Sequence, residues 1–212
     1  ARNDDGSTTL DWNGTSSSGI KGVDVAQSMV DIAKNKSFMA IKDGDSANQI
    51  ASGTLAAIVS GTWDANAVQE QFGDGYAATS IPTYTCNGQQ VDMASSSGYK
   101  FWGVNKNSKN VGWAMKLAMF LINKDSQMER FKAGAAGPAN KEDMASSDVQ
   151  NNIAVSAILQ QNAKKGVVQM VTQTYWDNTA TFGAKIAKGN PDNEDLQKLL
   201  DDLVTACAQK SE

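Results

Sequence analysis

Histidine is absent from the 212 residues. Without an imidazole the chain can build no Ser-His-Asp or Cys-His catalytic set and no His-containing zinc site. Cysteine is nearly absent. Cys86 and Cys207 are too far apart for a CxxC redox pair and too few for a four-thiolate cluster. They either close one long-range disulfide, in an extracytoplasmic protein, or stay as two free thiols. Arginine occurs only at Arg2 and Arg130; the rest of the 19 positive side chains are lysines, set against 23 acids for a net charge of -4. No basic stripe runs along the chain, so a nucleic-acid groove is excluded as a partner site, and the acidic balance reads as solubility. No apolar run approaches the roughly 20 residues needed to cross a bilayer. No charged-then-apolar leader opens the chain either. Its first residues, Ala1 to Gly6, are polar, a start compatible with a processed protein or with a cut inside a larger one.

What is present is enough to fold. Hydrophobic residues make up 41% and charged residues 20%, which suits one substantial core or two small ones. Residues 1–18 are rich in Asn, Asp, Gly, Ser and Thr, with Leu10 and Trp12 as their only large apolar anchors. Ile20, Val23, Ala26 and Val30 predict a helix to Ala33, with Ser18 as its cap. Ser46 to Ser52 reads as a short helix ended by Gly53. The apolar run Thr54 to Ser60 predicts a buried strand. Thr62 is the expected cap of a helix reaching Phe72. Further strands are expected at Tyr76 to Ile81, before Pro82, and at Tyr99 to Val104; Asn87-Gly88 signals a tight turn. Helices are expected at Ser108 to Ile122, from Ser126 onward, at Asp148 to Ala163, at Thr174 to Lys188 and from Pro191. Lys141 to Ala145 adds one helical turn, and Val167 to Val171 a short apolar link. Strand–helix alternation early and helices late make this an α/β protein.

No catalytic set stands out. The carboxylates are scattered, and Asp43-Gly44-Asp45 lacks the later ligands of a calcium loop, so it reads as a helix-entry turn. No cofactor or metal site is expected. The aromatics are more informative. Trp63 lies at the first turn of a predicted helix, and Tyr175 and Trp176 stand in the same relation to the helix after Thr174. Indoles at helix starts are partly exposed by geometry. They suit a ligand with flat apolar faces, such as a sugar ring, whose hydroxyls Asp64 and Asp177 could accept from. The alternative is that these tryptophans anchor helix ends to the sheet. Trp102 and Trp113 read as packing residues.

The string Gly53-Thr54-Leu55-Ala56-Ala57-Ile58-Val59-Ser60-Gly61-Thr62-Trp63, with Pro82 ending the next strand, resembles the extracellular solute-binding proteins of bacterial ABC importers, the maltose- and maltodextrin-binding family. Phe101-Trp102-Gly103-Val104-Asn105, the helix after it, and Tyr175-Trp176 followed by Gly189 are similar to later parts of the same family. The resemblance spans residues 20 to 208.

That resemblance implies a type II periplasmic-binding-protein-like fold, mainly the C-terminal lobe with a segment of the other lobe. Residues 1–97 would begin the C-terminal lobe, 98–135 would belong to the N-terminal lobe, and 136–212 would be a helical return to the C-terminal lobe. It implies a non-enzymatic, oligosaccharide-binding component of an importer, with an ABC permease as partner. The protein would be periplasmic or lipid-anchored at the outer face of the cell membrane. Trp63 and Trp176 would stack on sugar rings, with Tyr175 beside them and Tyr84 near the hinge. Members of that family are longer than this chain, so a complementary fragment or a second copy is expected to complete the sheet. Two rivals stay open: a cell-surface glycan-binding or structural module, and a fragment of a secreted glycoside hydrolase.

Overall fold

The computed structural model describes residues 9–41, 44–134, 137–168 and 173–208. Asp43, Arg2, the polar start and residues 169–171 of the expected apolar link lie outside them. The chain divides into two compact units. The first comprises 1–41, 82–93 and 169–212, and the second 42–81 and 94–168.

In the first unit, helix α1 (Gly22–Ala33) carries Ala26 and Val30 into the core. The backbone N–H of Lys21 donates to Asp24 Oδ2 at 3.2 Å. Lys21 is thus the N-cap, and Ser18 is not. Gly22 is required where it stands, because a Cβ would lie 1.7 Å from the Trp12 carbonyl oxygen. Strands β1 (Tyr84–Cys86) and β2 (Gln89–Val91) form an antiparallel hairpin. Its turn is the Asn87-Gly88 pair, both at positive φ (47° and 75°), as a two-residue hairpin loop demands. Helices α9 (Gln173–Ile186) and α10 (Leu196–Cys207) complete the unit. Asp195 caps α10 by accepting from Lys198 N–H, so the last helix begins later than Pro191. Helix α1 packs against β1, α9 and α10, and Ile186, Leu200, Leu203, Cys86 and Cys207 fill the space between. Both thiols are free. Of the two alternatives open for the cysteines, the structure has the free thiols and not the disulfide: the two sulfurs are buried as small apolar groups, and burial pushes the Cys207 thiol pKa up.

In the second unit, α2 (Ser46–Ala51) packs on α3 (Ala65–Phe72), which a 3-10 turn (Thr62–Asp64) precedes. Thr62 opens that turn without a side-chain cap. Strands β3 (Ser95–Ser97) and β4 (Gly166–Val168) pair in parallel against α8 (Ile153–Lys165). Helices α4 (Val111–Leu121) and α5 (Lys124–Lys132) form a hairpin, followed by α6 (Lys141–Met144) and α7 (Ser147–Gln150). Asn123 caps α5 through Ser126 N–H, so Ser126 is inside the helix rather than at its head. The single helix expected at Asp148 to Ala163 is broken at Asn152, whose side chain starts α8 by accepting from Val155 N–H. Val149, Val155, Ala157 and Ile50 are buried.

The expected strands at 54–60, 76–81 and 99–104 are not strands. Each segment is irregular, and no neighbouring segment among the described residues pairs with it. Sheet is therefore sparse. Segment 76–81 is held instead by α8: Gln161 Oε1 accepts from Ile81 N–H at 2.9 Å, and Lys164 Nζ donates to Ser80 Oγ at 2.9 Å.

Candidate functional site

Two loci carry the aromatic residues singled out by sequence, one in each unit. In the second unit Trp63 sits in the 3-10 turn before α3 and is 79% exposed. Its six-membered ring lies over Gly61, where a Cβ would come within 2.2 Å of the indole. Only a residue without a Cβ lets the ring come this close to the backbone, and most of the indole is open to solvent. That exposure is contrary to an indole buried as a packing anchor. Asp64 is fixed from two sides: Ser60 Oγ donates to its Oδ2 at 2.5 Å and Ser46 Oγ at 3.0 Å. The carboxylate ties α2 to the Trp63 turn, which holds the indole in place.

In the first unit Tyr175 and Trp176 occupy the first turn of α9. Thr174 lies within the helix rather than at its cap. The two rings meet edge to face, 5.0 Å between centroids and 80° between planes. Trp12 meets Tyr175 edge-on at 5.7 Å. Trp176 is 51% exposed, and Asp177 beside it is exposed. The polar N-terminal stretch thus supplies a third ring to the cluster, which sequence reading treated only as a loop anchor. Its signal was present: Trp12 is one of two large apolar residues in a run of Asn, Asp, Gly, Ser and Thr. A cavity of about 560 Å³ opens beside this cluster, lined by Trp12, Tyr175, Phe182 and Met29 with Asp11 and Thr179 among its polar groups. Asn13 Nδ2 donates to Asp201 Oδ1 at 2.8 Å and Gln197 Nε2 to the Asn13 carbonyl at 3.0 Å, fastening the Trp12 loop to α10. Tyr84 stands apart on β1, half-buried, with its phenol pKa raised first by burial and then by nearby Cys86.

The sequence profile of the family described as "Bacterial extracellular solute-binding protein" matches residues 2–157. The chain belongs to this family. Among its relatives, a galactooligosaccharide-binding protein of Bacillus subtilis (strain 168) is 32% identical over 110 residues, 52% of this chain and 25% of that protein. A protein solved with acarbose superposes with a TM-score of 0.81 at 25% identity, over 94% of this chain and 56% of the other. A maltodextrin-binding protein from L. casei BL23, solved without ligand, gives a TM-score of 0.75 at 23% identity, over 93% of this chain and 54% of that one. The architecture is therefore similar to that of the periplasmic-binding-protein-like fold. The chain spans about half the length of the solved relatives and a quarter of the curated one. No helix of the described residues is long and apolar enough to cross a membrane.

Proposed function

We propose that this chain is part of the oligosaccharide-binding component of an ABC importer, acting outside the cytoplasm, periplasmic or tethered by a lipid, and delivering its sugar to a membrane permease. Ligand would shift an equilibrium between open and closed arrangements of two lobes. In this reading, residues 1–97 and 136–212 contribute to the C-terminal lobe and 98–135 to the other. Trp63 and Trp176 stack on pyranose faces, and Tyr175 braces Trp176. Asp177 accepts from sugar hydroxyls. Asp64 serves the same end with its remaining lone pairs, and Tyr84 is an outlying contact. The single observation that carries the reading is the open indole face of Trp63 in a chain of the solute-binding family. Exposing a large flat apolar ring costs solvation free energy unless a ligand covers it. The hydrolase alternative loses its support, because members of this family bind solutes.

The test is a titration of tryptophan fluorescence in the product of the complete reading frame, with maltodextrins in one arm and galactooligosaccharides in the other. A saturable change in one arm is expected. Trp176→Ala and Trp63→Ala should each weaken it about tenfold or more, equivalent to about 1.4 kcal/mol. No change in either arm, or full affinity in both variants, would overturn the proposal.

A further inference from the structure

Helix α9 of the first unit carries a glycine for which the helix has no local use. Gly183 lies inside α9, where glycine weakens a helix relative to alanine. It is not among the glycines at positive φ, so no turn requires it. Unlike Gly22 and Gly61, it meets no close neighbour: a Cβ there would come within 4 Å of no atom of the described residues. What Gly183 does is line the cavity of about 560 Å³ beside Tyr175. Any side chain at this position would take up part of that space.

The size and walls of the cavity define what it can hold. An engineered cavity of about 150 Å³ walled by Leu, Ile and Phe takes a benzene molecule, and small-molecule pockets run from about 300 to 1,000 Å³. Here the walls are Trp12, Met29, Phe182, Leu200 and Leu203, the two leucines being buried. The polar groups are few and mostly engaged. Thr179 Oγ1 donates to the Tyr175 carbonyl at 2.7 Å. Ser16 Oγ is bonded to Ser18 Oγ at 2.8 Å and accepts from Ile20 N–H at 3.2 Å. Asp11 and Lys21, the charged lining among the described residues, are both exposed. A pyranose buried here would leave hydroxyls without partners, which is costly. A flat ring without hydroxyls carries no such penalty. The walls are also built in advance. Gly22 N–H donates to the Gly14 carbonyl and Ser16 N–H to the Ile20 carbonyl, each at 2.8 Å, so the Trp12 loop is closed onto the start of α1 as well as fastened to α10. A preformed pocket loses little freedom when it is filled.

We propose that this cavity receives an aromatic aglycone, the apolar substituent of an aryl glycoside whose sugar stacks on the neighbouring rings, and that Gly183 sets this specificity by leaving the room for it. The proposal rests on the sugar-binding reading, because Tyr175 is at once a wall of the cavity and the brace of Trp176. A molecule with a pyranose and a flat apolar ring side by side matches that shared wall.

Calorimetric titration of the product of the complete reading frame compares methyl with phenyl β-galactoside, methyl with phenyl α-maltoside, and phenol alone. In the series whose sugar binds, the phenyl glycoside should bind at least tenfold tighter than the methyl one. Gly183→Leu should remove that gain and leave the affinity for the methyl glycoside unchanged. Gly183→Ala should raise the melting temperature by about 1–3 °C, which separates filled space from a damaged fold. Equal affinities for the phenyl and methyl glycosides would overturn the proposal. So would a phenyl gain that survives Gly183→Leu, or a fall in melting temperature in Gly183→Ala. Phenol binding as tightly as the phenyl glycoside would make the sugar idle and overturn it too. The methyl glycosides report on the sugar-binding reading alone: their failure to bind sinks that reading, whereas their binding without a phenyl gain sinks only this inference.

Discussion

At Gly61 the position a Cβ would take is already filled by the ring of Trp63. An alanine there cannot move the backbone of an open turn cheaply, but it can push the indole away. Gly61→Ala should therefore leave thermal stability within about 0.5 kcal/mol while weakening sugar binding about tenfold, as the melting curve and the titration will read separately. Charge at a single residue gives a second expectation. Hydrogen bonds from Asn13 and Gln197 hold the Asp201 carboxyl pKa below its ordinary value. A depressed carboxylate pKa means that the link stabilises the fold above the unfolded-state value and is lost as pH falls through the folded one. The loop carrying Trp12 should thus loosen only below about pH 4, seen as a change in the Asn13 side-chain amide signals in an NMR pH titration. The exposure of Trp63 was legible from its place at a helix start. The serines that clasp Asp64 were not, since Ser46 comes from a helix 18 positions earlier and sequence carries no sign of that approach.

Elements were legible where one residue type repeats along a face. The stripes of α1 and α10 face the core where periodicity put them, because burying one side of a helix needs only a local pattern, whereas α4 is helical as its pattern predicts but buries none of its apolar face. Helix starts were less legible. Ser18, Thr62 and Ser126 have the right chemistry for capping, yet Lys21 and Asn123 take the cap positions at α1 and α5, because the chain's entry direction selects the cap. Asn152 shows what such a residue contributes. It ends the run of α7 and opens α8 with a 3.0 Å bond to Val155 N–H. Asn152→Ala should cost about 1 kcal/mol, measured by urea unfolding, with Asn152→Asp recovering most of it. The segments at 54–60, 76–81 and 99–104 mark the limit of local reading. Their composition favours extended backbone, but a strand is a property of a pair, and the described residues hold no partner for them.

For the whole molecule, the family was legible in the order of weak motifs from Gly53 to Gly189, none of which identifies it singly. The bare face of α4 makes a prediction at this scale. The denaturant slope follows the surface newly exposed on unfolding. A native state that leaves Trp113, Leu117, Met119 and Phe120 of α4 in solvent has less left to expose. The urea m-value of the 212-residue chain should fall clearly below that of a compact protein of equal length. An m-value typical of such a protein would mean that the open face is closed in solution.

Both sulfhydryl groups sit inside the first unit, on β1 and at the end of α10. Neither is reachable by an alkylating reagent until that unit opens, and only the thiolate reacts. Maleimide labelling therefore acts as a stopwatch for breathing of one half of the molecule while remaining blind to the other, with the protein's own two cysteines as the probes.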